Sequence, residues 1–460
     1  MLRPLSPLER WYWIADRISP LNVIGRVRVE GHLSVDAARR SLDLLQQRHP
    51  LLCTAIRADR GEEPMYVPSN RPIPLRWKCA DASHDNTETL WVQEVETEHL
   101  ARSVNWKTGP LGRAMVFSTA GDHGGDGRHD LILVLHHAIA DGTTAVSLSR
   151  QWAEIAARIT GPHTGQREDA GCRYRELPAT EDLFPAAHRS HRGQAAASSK
   201  RCRDADNAAR LSPERVRRER TVKFEQRRTR LIHRSLDPDT TRALVAACRS
   251  HGVTVHGILA AALVAAVHRD AETPQGTYFA IGSPVDFRAE LEPAVGPNEA
   301  GTYVATLPSL VRCDPNLDIW ISAKAVNDDL RARRAAGEHF AMITDLGSRV
   351  AMDIDGSREL LRYLDEEGPI NLSLSNIGAQ ELPEAIGGLR ITDADFAAGI
   401  SVTGVLVAAA TTSHGRLNWN LTYVDGFVSR GRAARIADDA LGTLVAALGP
   451  RSGTTAHAAE

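Results

Sequence analysis

Leu131-Ile132-Leu133-Val134-Leu135-His136-His137-Ala138-Ile139-Ala140-Asp141-Gly142 carries five aliphatic residues in a row into two histidines and then an Asp-Gly step. Such a run is stable as a strand buried on both faces or as a turn of buried helix, and its β-branched residues, with glycines just before them, favour the strand. Side chains alternate along a strand, so His136 and His137 point to opposite faces. Only one of them faces any given cavity.

Past Gly142 the apolar residues Leu148, Trp152, Ile155 and Ile159 recur at spacings of four, three and four, the period of an amphipathic helix. Residues 138–142 are therefore a strand-to-helix turn. Gly142 is expected to take backbone angles closed to other residues and to bare an N–H near a helix N-terminus, where partial positive charge favours an anion. An imidazole with an ordinary pKa of about 6.5 is the natural proton acceptor near neutral pH, and Asp141 is placed to fix its surroundings. The string fits a general base with an oxyanion site beside it. The plain alternative is a pair of core histidines with satisfied hydrogen bonds. A zinc site needs a third convergent ligand and an open water position, and no residue at metal-site spacing supplies them.

The pattern His136-His137-x-x-x-Asp141-Gly142 resembles the signature of the condensation-domain superfamily of acyltransferases. Upstream, a helix carrying Ala38, Leu42 and Leu45 and leading into Arg48-His49-Pro50-Leu51 resembles the opening of that superfamily. Downstream, the segments 282–288 and 296–310 resemble its second-half motifs, and Ser375-Asn376-Ile377-Gly378 is similar to a segment of the polyketide-associated acyltransferases. The resemblance implies an α/β fold of two chloramphenicol-acetyltransferase-like subdomains, a V-shaped pseudo-dimer with a tunnel between them. It implies His137 as the catalytic base with Asp141 and Gly142, supported by His136, Arg288 and Asn376, and it implies a pair between Arg288 and Asp141. The activity implied is transfer of an acyl group from a coenzyme A or acyl-carrier-protein thioester to a hydroxyl of a polyketide, lipid or other natural product, with no metal and no bound cofactor. A free-standing amide-forming enzyme and a non-catalytic module that binds a carrier protein are the alternatives. Thr143 and Thr144 stand where peptide-forming members usually carry a bulky residue and Ser, and no neighbouring carrier or adenylation domain is expected, so peptide synthesis on an assembly line is not expected either. Residues 395–399, Asp-Phe-Ala-Ala-Gly, keep the frame of a motif from the plant branch and are read as a structural turn.

A chain of 460 residues exceeds what one core usually supports. The expected division is residues 1–165, a crossover linker at 166–220 that is partly disordered, and residues 221–460. The formal net charge of −2 points to no nucleic-acid or membrane partner. Six scattered cysteines without a C-x-x-C pair read as reduced thiols. No basic-then-apolar leader opens the chain and no apolar run approaches the ~20 residues of a membrane helix, so a soluble, cytoplasmic protein is expected.

Along the chain, the aromatic residues Trp11, Tyr12 and Trp13 predict a segment packed on the core. Val23, Val27 and Val29 alternate with Arg26, Arg28 and Glu30 as in a strand with one wet face. Ser34 caps a helix that Pro50 stops, His49 caps carbonyls at its end, and residues 121–127 form a hairpin tip. In the second half, strands are expected near 231–236, 276–285, 303–310, 371–376, 401–409 and 417–423. Asp237-Pro238 and Thr254 open two helices, the second buried all round, and the tail after Gly449 is loose. Residues 214–234 hold a dense set of arginines, read as a solvated face or, alternatively, a docking patch for an acidic carrier protein.

Overall fold

The aliphatic run lies in the strand Gly124–His136 of the computed structural model, which describes residues 2–59, 61–79, 90–121, 123–161, 173–368, 370–400, 402 and 404–449. Leu131, Leu133 and Leu135 join the core around Trp152, whereas Ile132 and Val134 join a separate cluster with Trp91, Val95 and Leu100. The period-two alternation thus feeds two cores from one strand, which is why the run carries no polar residue.

Among the described residues the chain forms two six-stranded sheets with helices packed on them, a mixed α/β architecture. In the first sheet Gly124–His136 lies between Asn22–Ser34 and Gly112–Ser118, both antiparallel to it, and Leu75–Cys79 forms one edge. The helix Gly142–Thr160 lies on this sheet so closely that a Cβ at Gly25 would stand 2.3 Å from the Ala145 carbonyl oxygen. Buried Trp152 donates from Nε1 to Ala38 O and Ser41 Oγ, tying this helix to Val35–Arg48. His49 is buried, with Nε2 3.0 Å from Gln151 Oε1 and its ring stacked on Tyr174.

The second sheet has the order Val304–Cys313, Thr277–Asp286, Leu372–Gln380, Leu406–Ser413, Arg416–Val424, Thr229–Leu236. The helix Val255–Ala271, capped by Thr254, is buried nearly all round and touches both Ile319–Ala335 and Arg430–Ala447. The strand expected at 401–409 begins at Leu406, and residues 401 and 403 lie outside the described residues.

Several expectations are corrected. The strand Leu389–Ala398, far into the second half, pairs with Asn22–Ser34 in the first sheet. The sheet pairing therefore does not follow a division at residue 221, and Asp395, Phe396, Ala397 and Ala398 belong to a strand instead of a turn. The wet face predicted for residues 23–30 is not wet. Arg26 is buried under the Trp91 ring and donates to Asp130 at 2.7 Å and to Asp395 at 2.9 and 3.1 Å, and it also pairs with Asp393. Two of those carboxylates arrive with Leu389–Ala398, so local alternation could not reveal that the arginine is neutralised.

The described part of the expected linker, residues 173–220, includes the helix Ser190–Leu211. Only Gly193 and Ala197 are buried on it, so it has no apolar period to read. It is held by charge: Arg203 pairs with Glu338 at 2.6 Å, Asp204 accepts from Arg333 at 2.9 Å, and Arg201 pairs with Asp345. The arginine-rich stretch is neither wholly solvated nor free. Arg218 and Arg227 both pair with Asp365, at 2.7 and 2.8 Å, and Arg215 donates to the Asp365 and Gly368 carbonyls. Cys172 and the tail at 450–460 lie outside the described residues, and the five described cysteines are free thiols. Among the described residues no single helix is long and apolar enough to cross a membrane.

Candidate active site

The strand Gly124–His136 ends at His136, and the next residues turn into the helix Gly142–Thr160. His136 is fully buried; its Nδ1 accepts from the Ala138 N–H at 3.0 Å, which puts its proton on Nε2, 3.7 Å from Asp16 Oδ2. Burial lowers its proton affinity. His136 is a neutral brace of the turn, and Asp16 comes from the helix Pro7–Ile18.

His137 lies on the other side and is only half-buried. Its ring stacks on Tyr12 with centroids 3.7 Å apart and planes within 6°. Nδ1 is enclosed without a hydrogen-bond partner, and the backbone of His137 itself and of Ala140 lies close to the ring. Thr302 Oγ1 donates to the His137 carbonyl at 2.7 Å, fixing the backbone from the second half of the chain. Burial pushes the imidazole down to about 4, against a smaller opposing pull from Asp141, so the ring is a neutral acceptor at physiological pH.

Asp141 caps the helix, its Oδ1 accepting from the Thr144 N–H at 2.9 Å and its Oδ2 from the Tyr303 N–H at 2.9 Å. Arg288 Nη2 donates to both carboxylate oxygens at 2.8 Å, to Thr144 Oγ1 at 2.6 Å and to Gly301 O at 3.3 Å. Burial favours neutral Asp141, but Arg288 and the two N–H groups outweigh it and hold the carboxyl below the usual carboxylate range. Asp141 thus faces Arg288 and ties the turn that follows His137 to the second half of the chain.

Gly142 is a glycine for a different reason from the one its position suggests. Its φ is not positive; instead a Cβ there would stand 2.6 Å from Phe396 Cε2. The ring that needs this space comes from Leu389–Ala398, the strand that crosses into the first sheet. Asn376 Oδ1 accepts from the Gly378 N–H at 2.9 Å, at an irregular step in its own strand. His136 and His137 do not converge, and among the described residues no group of three His, Cys, Asp or Glu is placed to hold a metal ion.

The "Phthiocerol/phthiodiolone dimycocerosyl transferase C-terminus" family matches residues 225–424. The chain shares its fold with condensation domains and with a polyketide synthase associated protein. Among solved structures, polyketide synthase associated protein 5 from Mycobacterium tuberculosis superposes with a TM-score of 0.66 at 18% identity, covering 97% of this chain and 98% of that one. The trichothecene 15-O-acetyltransferase of Fusarium sporotrichioides superposes with a TM-score of 0.76 at 13% identity over 97% of this chain and 95% of that one. A component of the linear gramicidin synthase of Brevibacillus parabrevis is 27% identical over 186 residues, 38% of this chain. That alignment spans 2% of the synthase component, so the chain covers a small part of the curated relatives it matches.

The site residues that sequence reasoning missed are Tyr12, Asp16, Thr302 and Tyr303. Tyr12 carried a signal, an aromatic triplet too apolar for a free tail, but nothing local aims it at His137. The other three are recognisable only through what they touch.

Proposed function

We propose that the chain transfers an acyl group from a thioester on coenzyme A or an acyl carrier protein to a hydroxyl of a polyketide, lipid or other natural-product acceptor, forming an ester. The observation that carries this reading is the His137 ring, stacked on Tyr12 at the end of the buried strand and held neutral by burial. In the proposed reaction Nε2 takes the acceptor hydroxyl proton as its oxygen attacks the thioester carbonyl. The N–H groups of Gly142 and Thr143, first-turn donors without a helical acceptor, lie at the positive end of the helix and favour the oxyanion that forms. The carbon–sulfur bond then breaks, and the imidazolium gives its proton to the leaving sulfur, so that a thiol departs and His137 returns to its neutral form. A base so placed contributes ~10²- to 10⁴-fold.

His137 follows the last residue of a first-sheet strand while Thr302 and Tyr303 precede a strand of the second, which supports a tunnel opening between the two. The O-acetyltransferase and the polyketide-associated protein among the similar structures favour an ester product. Similarity to a gramicidin synthase favours a second reading, amide formation by the same base with an amine acceptor. The test is single-turnover thioester cleavage by His137→Ala, with circular dichroism on the same sample. A folded variant that keeps near-normal turnover removes His137 as the base and leaves a carrier-binding module as the better reading. Product analysis with paired alcohol and amine acceptors separates ester from amide.

A further inference from the structure

A cavity of about 490 Å³ opens at the edge of the first sheet, where Leu75 and Arg76 begin one strand and Gly112 and Arg113 begin its neighbour. It is lined by none of the residues of the candidate active site, although it lies beside the same strand end. Gly112 pairs with Leu135, and the His136 N–H donates to the Leu111 carbonyl at 3.0 Å. Pro72, Leu75, Val104 and Pro110 give it apolar walls. Arg71, Arg76, Arg102 and Arg113 line it against a single carboxylate, Glu98.

Only part of this positive charge is answered. Arg102 pairs with Glu98 at 3.2 Å, and Arg76 must share Glu94 with Lys78. Arg113 donates to the carbonyls of His99 at 3.0 Å, Arg102 at 2.7 Å and Ser103 at 3.3 Å, and it forms no ion pair among the described residues. The Arg71 guanidinium makes no hydrogen bond or ion pair to the described residues. His99 also lines the cavity; it is 5% exposed and its Nδ1 has no partner. Burial and then the cations Arg113, Arg76 and Lys78 push its imidazole down to about 3, so the wall carries a positive field.

We propose that this cavity binds a small organic anion bearing a phosphate. Arginine forks match phosphate oxygens in pairs, four guanidinium groups outnumber Glu98 and the Glu94 that Arg76 shares with Lys78, and the apolar walls receive the organic body. The volume lies within the ~300–1,000 Å³ of small-molecule sites. The proposal does not depend on the acyl-transfer reading, and its readout is binding.

The probe is AMP, titrated calorimetrically into the wild-type chain, with adenosine and inorganic pyrophosphate as companions. Saturable AMP binding that weakens with salt, competition by pyrophosphate, and no binding of adenosine are expected. The double variant R71S/R102S removes two exposed rim cations and spares Arg113, which holds backbone. It should weaken AMP binding by roughly tenfold or more at an unchanged melting temperature. If its melting temperature falls, R71S alone decides by the same comparison. An exposed control pair elsewhere, R242S/R358S, should leave binding unchanged. Absence of saturation by ~10 mM AMP overturns the proposal, as does equal binding of adenosine. So does AMP affinity that survives R71S/R102S or falls equally in the control, because the ligand then sits elsewhere.

Discussion

Arg288 places Nη2 2.8 Å from both carboxylate oxygens of Asp141, across 147 positions of chain, and thereby clamps the turn that presents His137 to the 3-10 turn Arg288–Glu290 beyond the second sheet's strand Thr277–Asp286. Asp141 is 1% exposed and Arg288 5%, so removing either partner leaves a buried charge without its main counter-charge. Asp141→Ala should cost about 3–5 kcal/mol and lower turnover as well. Arg288→Ala should cost a similar amount, and the double variant less than the sum, with a coupling on the order of 0.5–3 kcal/mol in denaturant titrations. Additive losses would show that the pair contributes no energy of its own.

Gly142→Ala places a methyl group against Phe396, whose ring is 2% exposed and has no free space to retreat into. Overpacking of this kind costs about 1–3 kcal/mol, more than the helix-forming advantage of alanine returns. Combining it with Phe396→Leu should recover part of the loss. A Gly142→Ala protein as stable and active as wild type would show that the helix start yields to the ring.

Asp365 gathers Arg218 and Arg227 on its carboxylate and Arg215 on its carbonyl, so Asp365→Asn removes the carboxylate charge that buried Arg227 meets at 2.8 Å. Stability should fall by roughly 3 kcal/mol. A test of carrier-protein docking must spare those arginines. Arg217, Arg220 and Lys223 are exposed, and changing them to Ser should leave the melting temperature unchanged. If kcat/KM with a carrier-bound donor is also unchanged at low salt, the stretch has no docking role.

Acid should destabilise the protein well above the range where carboxylates titrate. Burial holds His49 at about 4 and His99 at about 3, while an unfolded histidine titrates near 6.5. Below that value the unfolded chain binds protons that the folded chain refuses, so stability falls as the pH drops from about 6.5 to about 4, by up to roughly 1.4 kcal/mol per pH unit for each such histidine. Glu181, raised by burial to about 7, acts in the opposite direction but is a single group. Urea midpoints at several pH values between 7.5 and 5 measure the sum, and a flat series would contradict the buried neutral histidines. Since His137 stays neutral to about 4, kcat/KM should show no imidazole titration between pH 6 and 8.

Periodicity alone places the five aliphatic residues of 131–135 in a doubly buried strand, sends His136 and His137 to different sides, and starts a helix after Gly142, because alternation and helical spacing are properties of neighbours along the chain. The same reasoning locates the caps Ser34, Asp237 and Thr254, whose hydrogen bonds reach only three residues onward. It does not reach what depends on distant partners. Arg26 looks solvent-facing until Asp393 and Asp395 arrive beside it, and Gly142 looks like a backbone hinge until Phe396 is seen to fill the space. The helix Ser190–Leu211 looks structureless because charge pairs hold it in place of an apolar stripe. Tyr12 meets His137, and Asp141 meets Arg288, through contacts that no local spacing encodes. Local pattern determined which segments could carry the site; packing across the two sheets decided which side chains complete it, since only in the folded chain do residues hundreds of positions apart share one environment.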